Sequence, residues 1–336
     1  MNNFFPLFWP KSCTQVIHIV YVTLYTKLSI LETLEKSIFF GVIHIFTSPT
    51  AATTDSFYIF IYKKHISPRK EVIHIMKIIC QKSNLLKSVS ISLKAVPSKT
   101  TMPILECILI DATTSQIKFT TNDMELGIET IVEGTIEEKG MVALDAKILY
   151  EIIRRLPDNN VTIRTDEKLT ATITCEKAKF TIPGKSGEDF AYLPIIEKEE
   201  ALTVSQFTLK EMIRQTIFSI ASNETNKLMT GELFEIKDNF LKVVSLDGHR
   251  IAIRRMELKK DYADRKVVVP GKTLNEISKI LSGEIDDIVN IYFSKNHILF
   301  EFDQTIVISR LIDGEYFRID QMLSSDYETK IVINKK

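Results

Sequence analysis

Residues 142–190 read "VALDAKILYEIIRRLPDNNVTIRTDEKLTATITCEKAKFTIPGKSGEDF", and residues 267–317 repeat their pattern as "VVVPGKTLNEISKILSGEIDDIVNIYFSKNHILFEFDQTIVISRLIDGEYF". In each copy a short apolar strand leads into an amphipathic helix, and three short strands with alternating side chains follow. Lys147 in the first copy aligns with Lys272 in the second, an offset of 125 residues. Self-similarity at a fixed offset predicts two similar structural units in tandem.

The two units also match upstream of these segments. Residues 117–129, "IKFTTNDMELGIE", align with residues 241–253, "LKVVSLDGHRIAI", so that Asp123 stands opposite Asp247. Each unit opens with a strand and a further helix. Two helices and several antiparallel strands in each unit predict an α+β fold.

The apolar periodicity predicts four helices. Asp145 and Thr208 are predicted N-caps, because their side-chain oxygens can accept hydrogen bonds from the first helical turn, and Pro157 ends the second helix. The stripe expected to pack inward in that helix is Ile148, Leu149, Ile152 and Leu156. The predicted helices lie near residues 83–96, 145–156, 208–222 and 272–281.

Basic side chains occupy the opposite face of three of these helices. The members of each pair are seven residues apart in sequence, and so about 10 Å apart along the helix axis. This placement is notable because residues 76–336 carry 36 basic and 39 acidic side chains. The pairs are Lys87 and Lys94 in the first helix, Lys147 and Arg154 in the second, and Lys272 and Lys279 in the fourth.

Such segregated positive charge favours binding to a phosphate backbone, since lysines that neutralise phosphates release condensed counterions. No row of aromatic residues accompanies it, so neither single-strand stacking nor base reading is indicated. The predicted ligand is duplex nucleic acid, bound weakly and without sequence preference. The alternative is a solvated helical face that has no ligand.

The composition excludes several other classes of site. Basic and acidic residues balance at 43 each, so net charge indicates no partner. The four cysteines lie far apart without a C-x-x-C pair, which excludes a zinc site or disulfide framework and predicts a reducing, cytoplasmic location. Residues 184–186 (GKS) and 271–273 (GKT) resemble the end of a phosphate-binding loop but lack its earlier glycine. We expect no active site, metal or cofactor, with a nucleotide-handling transferase that uses Lys272 as the alternative.

Residues 1–75 differ from the rest of the chain. They contain 13 of the 30 aromatic residues but only 11 charged ones, and their longest uncharged run, residues 37–54, is a poor membrane-spanning helix. Codons for residues 69–72 (RKEV) can read AGG-AAG-GAG-GTN, a purine-rich ribosome-binding sequence at a suitable distance before Met76. We expect Met76 to be the true start and residues 1–75 to be a non-native or disordered extension. An arm that touches a membrane is the alternative.

From Met76 onward the chain resembles the beta subunit of bacterial DNA polymerase III, the sliding clamp family. The resemblance rests on the opening "MKIICQKSNLLKSVS", on "SKTTMPILECILI" at residues 98–110, on "LDGHRIA" at residues 246–252 and on "LIDGEYF" at residues 311–317. It implies the DNA-clamp fold, in which tandem domains with two helices on antiparallel sheets form a ring of two chains around duplex DNA. It also implies a non-catalytic subunit of the replicative holoenzyme, with the DNA polymerase III catalytic subunit and the clamp loader as partners.

The two binding surfaces of the family can be placed residue by residue. The helical pattern alone indicates Lys87 and Lys94 as DNA-facing residues. The resemblance implies the same role for Lys99, Lys147, Arg154, Asn223, Lys272 and Lys279. It implies a peptide-binding groove formed by Met229, Leu246, Gly248, His249, Arg250, Ile251, Phe317, Gln321 and Met322. Phe317 and Gln321 depart from the family, which usually has a proline and an arginine there, so this edge of the groove is expected to differ.

The resemblance also implies domain boundaries. Clamp domain 1 is placed at residues 76–197 and clamp domain 2 at residues 201–321. Residues 322–336 correspond to a linker and the first strand of a third domain, which we expect to be missing, so a homodimer ring is not expected for this chain. A peptide-binding scaffold without DNA binding is a further alternative, and no membrane partner is implied.

Overall fold

The computed structural model describes residues 43–44, 60–61, 75–222, 226–323, 329 and 331–334. The chain forms two compact units, residues 1–72 and 73–336. In the first unit, β1 (Ile43–His44) and β2 (Phe60–Ile61) form an antiparallel pair. The prediction that residues 1–75 are a non-native or disordered extension lies almost entirely outside the described residues.

The second unit contains both sequence repeats. The first repeat consists of β3 (Lys77–Gln81), α1 (Lys82–Ser92), β4 (Cys107–Asp111), β5 (Ile117–Asn122), β6 (Leu126–Val132), β7 (Thr135–Glu138), β8 (Met141–Asp145), α2 (Ala146–Arg155), β9 (Asn160–Thr165), β10 (Thr170–Cys175) and β11 (Ala178–Lys185). Short 3-10 helices at Leu93–Ala95, Pro103–Glu106 and Gly187–Asp189 complete it.

The second repeat follows the same order of elements, except that its described residues form no counterpart of β7. It consists of β12 (Leu202–Ser205), α3 (Gln206–Thr216), β13 (Gly231–Lys237), β14 (Phe240–Leu246), β15 (Ile251–Glu257), β16 (Arg265–Pro270), α4 (Gly271–Ile280), β17 (Ile288–Phe293), β18 (His297–Phe302) and β19 (Thr305–Arg310). Short 3-10 helices lie at Ile217–Ser219 and Lys227–Thr230, and α5 (Ile319–Met322) follows the repeat. The predicted tandem α+β arrangement is confirmed.

One antiparallel sheet runs through both repeats. Its strand order is β12-β17-β18-β19-β6-β5-β4-β8-β11-β10-β9-β3-β7, and a second sheet has the order β15-β14-β13-β16. The repeats meet where β19 pairs with β6, from Thr305 opposite Thr130 to Ser309 opposite Leu126. We call this strand pair the repeat joint.

Side-chain burial reinforces the repeat joint. The core of the second repeat, which includes Leu209, Leu274 and Phe300, also takes in Leu126 and Ile128 from β6 of the first repeat. Ile128 is fully buried there. Because the shared core and the backbone ladder coincide, the two repeats cannot separate at this joint without exposing apolar surface.

The helix α2 begins as predicted but buries a different stripe. Asp145 is confirmed as its N-cap, since Oδ1 accepts a hydrogen bond from the Ile148 N–H at 2.8 Å. The residues that pack inward are Ala146, Leu149, Ile153 and Leu156. Ile148, predicted to pack inward, is 49% exposed because it lies off that stripe, whereas Ile152, also predicted to pack inward, is half-buried and packs against the core of the first repeat.

The predicted N-cap of α3 was wrong. The helix begins at Gln206 after Ser205, before Thr208. Gln206 is buried, and its side-chain amide donates to the Ile288 carbonyl at 3.2 Å and accepts from the Ser282 N–H at 2.9 Å. These long-range contacts fix the start of the helix, and local capping preference could not reveal them.

Candidate nucleic-acid interface and peptide groove

The four long helices lie in two packed pairs, α1 with α2 and α3 with α4. Every one of them contains more lysine and arginine than aspartate and glutamate. Because aspartate and glutamate are in excess over residues 76–336 as a whole, positive charge is concentrated on the helices. A concentration of this kind attracts polyanions at a distance.

Most of the predicted DNA-facing residues are accessible. Lys94 is half-buried in the 3-10 helix Leu93–Ala95. Asn223 lies outside the described residues. The exposed members of the set are Lys87, Lys99, Lys147, Arg154, Lys272 and Lys279.

Acidic side chains lie next to some of these basic residues and partly neutralise their charge. Three helices carry a glutamate three residues before a basic side chain, with separations of 2.9 Å in α2, 2.6 Å in α3 and 2.7 Å in α4. Such exposed pairs contribute at most about 1 kcal/mol each, so a phosphate can replace the glutamate at little cost. These acids were not part of the expected basic faces, although their spacing of three residues from a basic side chain is visible in the sequence. The pairs are Glu151–Arg154, Glu211–Arg214 and Glu276–Lys279.

Lys272 has a partner of a different kind. Its Nζ contacts Oδ2 of Asp123, which belongs to the first repeat, so this ion pair crosses the repeat joint. The Asp123 side chain is only 3% exposed. Lys147, the equivalent residue in α2, has no ion pair within the part of the chain that the structure describes.

The phosphate-loop alternative finds no geometric support at residues 271–273. The strand β16 ends at Pro270 and α4 begins at the next residue, so no loop stands between them to enclose a phosphate. The Thr273 hydroxyl is buried and lies 2.6 Å from the Ser309 hydroxyl. Lys272 is engaged by Asp123.

Four of the nine predicted peptide-groove residues come together on one face of the second sheet. Met229, Leu246, Ile251 and Phe317 belong to one apolar cluster, which we call the groove cluster. The sequence analysis did not predict several residues that form its floor. These are Leu228, Leu233, Val244, Val268, Ile312, Tyr316 and Ile319.

A tight turn forms the rim of this groove. Oδ1 of Asp247 accepts hydrogen bonds from the N–H groups of His249 at 3.0 Å and Arg250 at 3.1 Å, and Oδ2 accepts from Arg250 Nε at 2.9 Å. These bonds, led by that from His249, hold the pKa of Asp247 below its ordinary value. Gly248 has φ +91°, a conformation that favours glycine. His249 and Arg250 are both exposed in this turn.

Comparison with known proteins identifies the family to which this chain belongs. Residues 76–194 match the family model of the DNA polymerase III beta subunit, N-terminal domain, and residues 203–317 match that of its central domain. The beta sliding clamp of Bacillus subtilis strain 168 is 34% identical over 270 residues, which span 78% of this chain and 71% of that relative. The chain belongs to the DNA polymerase III beta subunit family.

Solved clamp structures agree with this assignment. A protein described as a DNA polymerase III beta subunit from Eubacterium rectale ATCC 33656 is 67% identical, with a TM-score of 0.74, over 75% of this chain and 69% of that one. The DNA polymerase sliding clamp of Bacillus subtilis is 33% identical, with a TM-score of 0.72, over 75% and 68%. The predicted DNA-clamp fold is confirmed.

The edge of the groove cluster formed by residues 317–322 is more exposed than the floor of the cluster. The rings of Phe317 and Tyr316 meet edge to face with centroids 5.5 Å apart. Gln321 and Phe317 also line a neighbouring cleft of about 620 Å³, and Met322 is 47% exposed. An exposed methionine suits a surface that adapts to apolar ligands.

A buried carboxyl group lies on β13, next to Leu233 of the groove cluster but on the opposite face of the strand. Glu232 on β13 is fully buried, and neither of its oxygens makes a hydrogen bond of normal geometry. Burial raises its pKa to about 8, and the nearby Thr216 hydroxyl opposes this rise only in part. Burial also raises the pKa of Tyr316, with a smaller contribution from Glu232. Glu232 is therefore protonated at neutral pH, a feature the sequence analysis did not predict.

Other classes of site were also assessed over the described part of the chain. No group of three or more His, Cys, Asp and Glu residues there could hold a metal ion. Cys80, Cys107 and Cys175 are buried and free. None of the helices in these ranges has the length and apolar character needed to cross a membrane.

Proposed function

We propose that this chain is an incomplete form of a DNA sliding clamp, which together with further clamp domains encircles duplex DNA and holds DNA polymerase III on it. In this role it is a non-catalytic, cytoplasmic subunit, and DNA-directed DNA polymerase activity belongs to the whole complex. Its relatives carry the name beta sliding clamp, which supports the proposal.

The proposal that this chain binds DNA rests on the charge of the helices. All four long helices carry a basic excess although residues 76–336 are acidic on balance. The contacts we propose are electrostatic and independent of base sequence, since no base-reading motif accompanies them. The proposed contact residues are Lys87, Lys94, Lys99, Lys147, Arg154, Asn223, Lys272 and Lys279.

Encirclement needs further clamp domains at two strand edges. In the described sheets, β15 pairs only with β14, and β11 meets β8 only through Gly184 and Lys185. The proposed domains are residues 76–197 and 201–321, followed by residues 322–336 as the connection to a third domain. The matches at residues 76–194 and 203–317 support these boundaries.

The DNA proposal is tested by binding to labelled duplexes of unrelated sequence over a range of salt concentrations. The variants Lys87→Glu and Lys147→Glu should weaken binding to all duplexes alike and reduce the slope of log affinity against log salt by about 0.9 per lost phosphate contact. Lys237→Glu, at the end of β13 and on none of the helices, is the matched control. Equal binding by all four proteins would leave the basic faces as solvated surfaces.

The peptide proposal rests on the groove cluster and the turn beside it. We propose that clamp-binding segments of the polymerase catalytic subunit and the clamp loader lay apolar side chains on the groove cluster, with His249 and Arg250 at the rim. The substitutions Ile251→Ala and Phe317→Ala should weaken the binding of a peptide taken from the clamp-binding segment of the cognate polymerase. Calorimetry measures this affinity. Ile253→Ala, an exposed residue on the same strand but outside the groove cluster, should not. Peptide binding without duplex binding would favour the scaffold alternative.

A further inference from the structure

The ion pair across the repeat joint sets Lys272 apart from the other basic residues of the helices. Its ammonium group contacts Oδ2 of Asp123, 149 residues earlier in the chain. The Lys272 side chain is 57% exposed, whereas that of Asp123 is 3% exposed. The lysine is therefore accessible to a polyanion while the aspartate beneath it is not.

Hydrogen bonds within its own turn hold the Asp123 side chain in place, independently of Lys272. Its Oδ1 accepts hydrogen bonds from the N–H groups of Glu125 at 3.0 Å and Leu126 at 2.6 Å. The Arg310 N–H, at the end of β19, donates to the Glu125 carbonyl at 2.9 Å. The turn that carries Asp123 is thus attached to the second repeat by backbone hydrogen bonds.

Lys272 is positioned from the other side by the same strand. It is the second residue of α4, and the hydroxyl of the next residue, Thr273, lies 2.6 Å from the hydroxyl of Ser309 on β19. A lysine near a helix N-terminus faces the positive end of the helix dipole, so the nearby carboxylate of Asp123 is favourable for both. The pair is therefore a stable part of the repeat joint.

The equivalent residues elsewhere in the chain behave differently. Asp247, which aligns with Asp123, uses its Oδ2 for Arg250 of its own turn. Lys147, which aligns with Lys272, has no ion pair in the ranges that the structure describes. Two lysines at equivalent helical positions thus differ in whether a fixed carboxylate neutralises them.

We infer that Asp123 is a positioning residue that holds Lys272 at the repeat joint and competes with DNA phosphates for its charge. The inference rests on the proposed function, because it concerns how the clamp engages a duplex. Lys272 contributes less than Lys147 to duplex affinity while Asp123 is present, and removing the carboxylate releases it for phosphate contact.

The test compares Asp123→Asn, Lys272→Ala, the double variant and Lys147→Ala with the unaltered chain, in duplex binding across a salt series. Asparagine keeps an oxygen for the turn and removes the negative charge. Asp123→Asn should bind several-fold more tightly at low salt, with a slope of log affinity against log salt steeper by about 0.9. In that background Lys272→Ala should abolish the gain, whereas in the unaltered chain it should weaken binding less than Lys147→Ala does.

Thermal melting of the same variants separates folding from binding. Asp123→Asn and Lys272→Ala should each lower the melting temperature, and the double variant should lose less than both together, because the two residues act as a pair. If Asp123→Asn melts lower yet binds duplex with unchanged affinity and slope, while Lys147→Ala weakens binding, the inference is overturned and the proposed function stands. If neither Lys147→Ala nor the Lys87→Glu variant described above weakens binding, the DNA role itself fails and the inference fails with it.

Discussion

Replacing Glu232 by glutamine changes the dependence of stability on pH, because the buried carboxyl holds its proton in the folded chain. Its pKa rises from 4.5 to about 8 on folding. Below pH 4.5 the carboxyl is mostly protonated in both the folded and the unfolded states, so it adds no pH-dependent cost. As the pH rises from 4.5 to about 8 the unfolded carboxyl ionises while the folded one does not, so stability is lost. Above that window the loss is complete.

The size of this effect follows from the pKa difference. A shift of about 3.5 units at about 1.4 kcal/mol per unit gives an upper value of about 5 kcal/mol. Glutamine has a similar shape but cannot ionise, and its buried amide adds a cost that does not vary with pH. The free energy of unfolding of Glu232→Gln, relative to the unaltered chain, should therefore rise between about pH 4.5 and about pH 8 and then level off.

Urea denaturation at pH 5, 7 and 9 measures this difference. Glu235→Gln is the matched control on the same strand, with Glu235 held by Lys266 at 2.7 Å and Lys242 at 3.2 Å. Although burial acts to raise the pKa of Glu235, these two lysines outweigh it and hold that pKa below its ordinary value. Glu235→Gln should accordingly lose stability relative to the unaltered chain above acid pH. A Glu232→Gln difference that is flat with pH would refute the reasoning.

Three further outcomes are expected. Ile128→Ala should lower the free energy of unfolding by about 2–5 kcal/mol in urea, because it empties a fully buried site in the core shared by both repeats; a loss below 1 kcal/mol would contradict that packing. Gly248→Ala should cost roughly 1 kcal/mol and weaken peptide binding, since φ +91° strains any residue with a Cβ; unchanged calorimetric affinity would remove the turn from the groove. A chain that begins at Met76 should melt at the same temperature as the full chain in calorimetry, and a fall of several degrees would show that residues 1–75 pack on the repeats.

The features that the sequence predicted are those encoded by local periodicity. The four helices and the N-cap Asp145 follow from side chains within a few residues of one another. In α4 the apolar residues Leu274 and Ile277 recur at helical spacing, and both are fully buried. In α2 the same reasoning misplaced Ile148, because a stripe of apolar residues does not show which of its edges the sheet covers.

The features that were missed depend on contacts between distant residues. Nothing near Asp123 in sequence indicates that a lysine 149 residues later lies against it. The floor of the groove cluster forms because Tyr316 and Ile319 pack against β13 and β14. Glu232 is buried because helix α3 covers it. Glutamate is rarely fully buried, so the residue type favours an exposed position for Glu232 and only the packed structure reveals that it is buried.

The pairing of β6 with β19 also has a consequence for synthesis on the ribosome. Thr130 and Thr305, whose hydroxyls lie 3.0 Å apart in this pair, are 175 residues apart in the chain. At about 5–20 residues per second, the edge of β6 waits roughly 10–35 s for its partner strand to be made. During that interval the nascent first repeat exposes an uncovered strand with Leu126 and Ile128, the kind of edge that pairs with other chains. We expect the half-made protein to be the species most prone to aggregate and most dependent on chaperones.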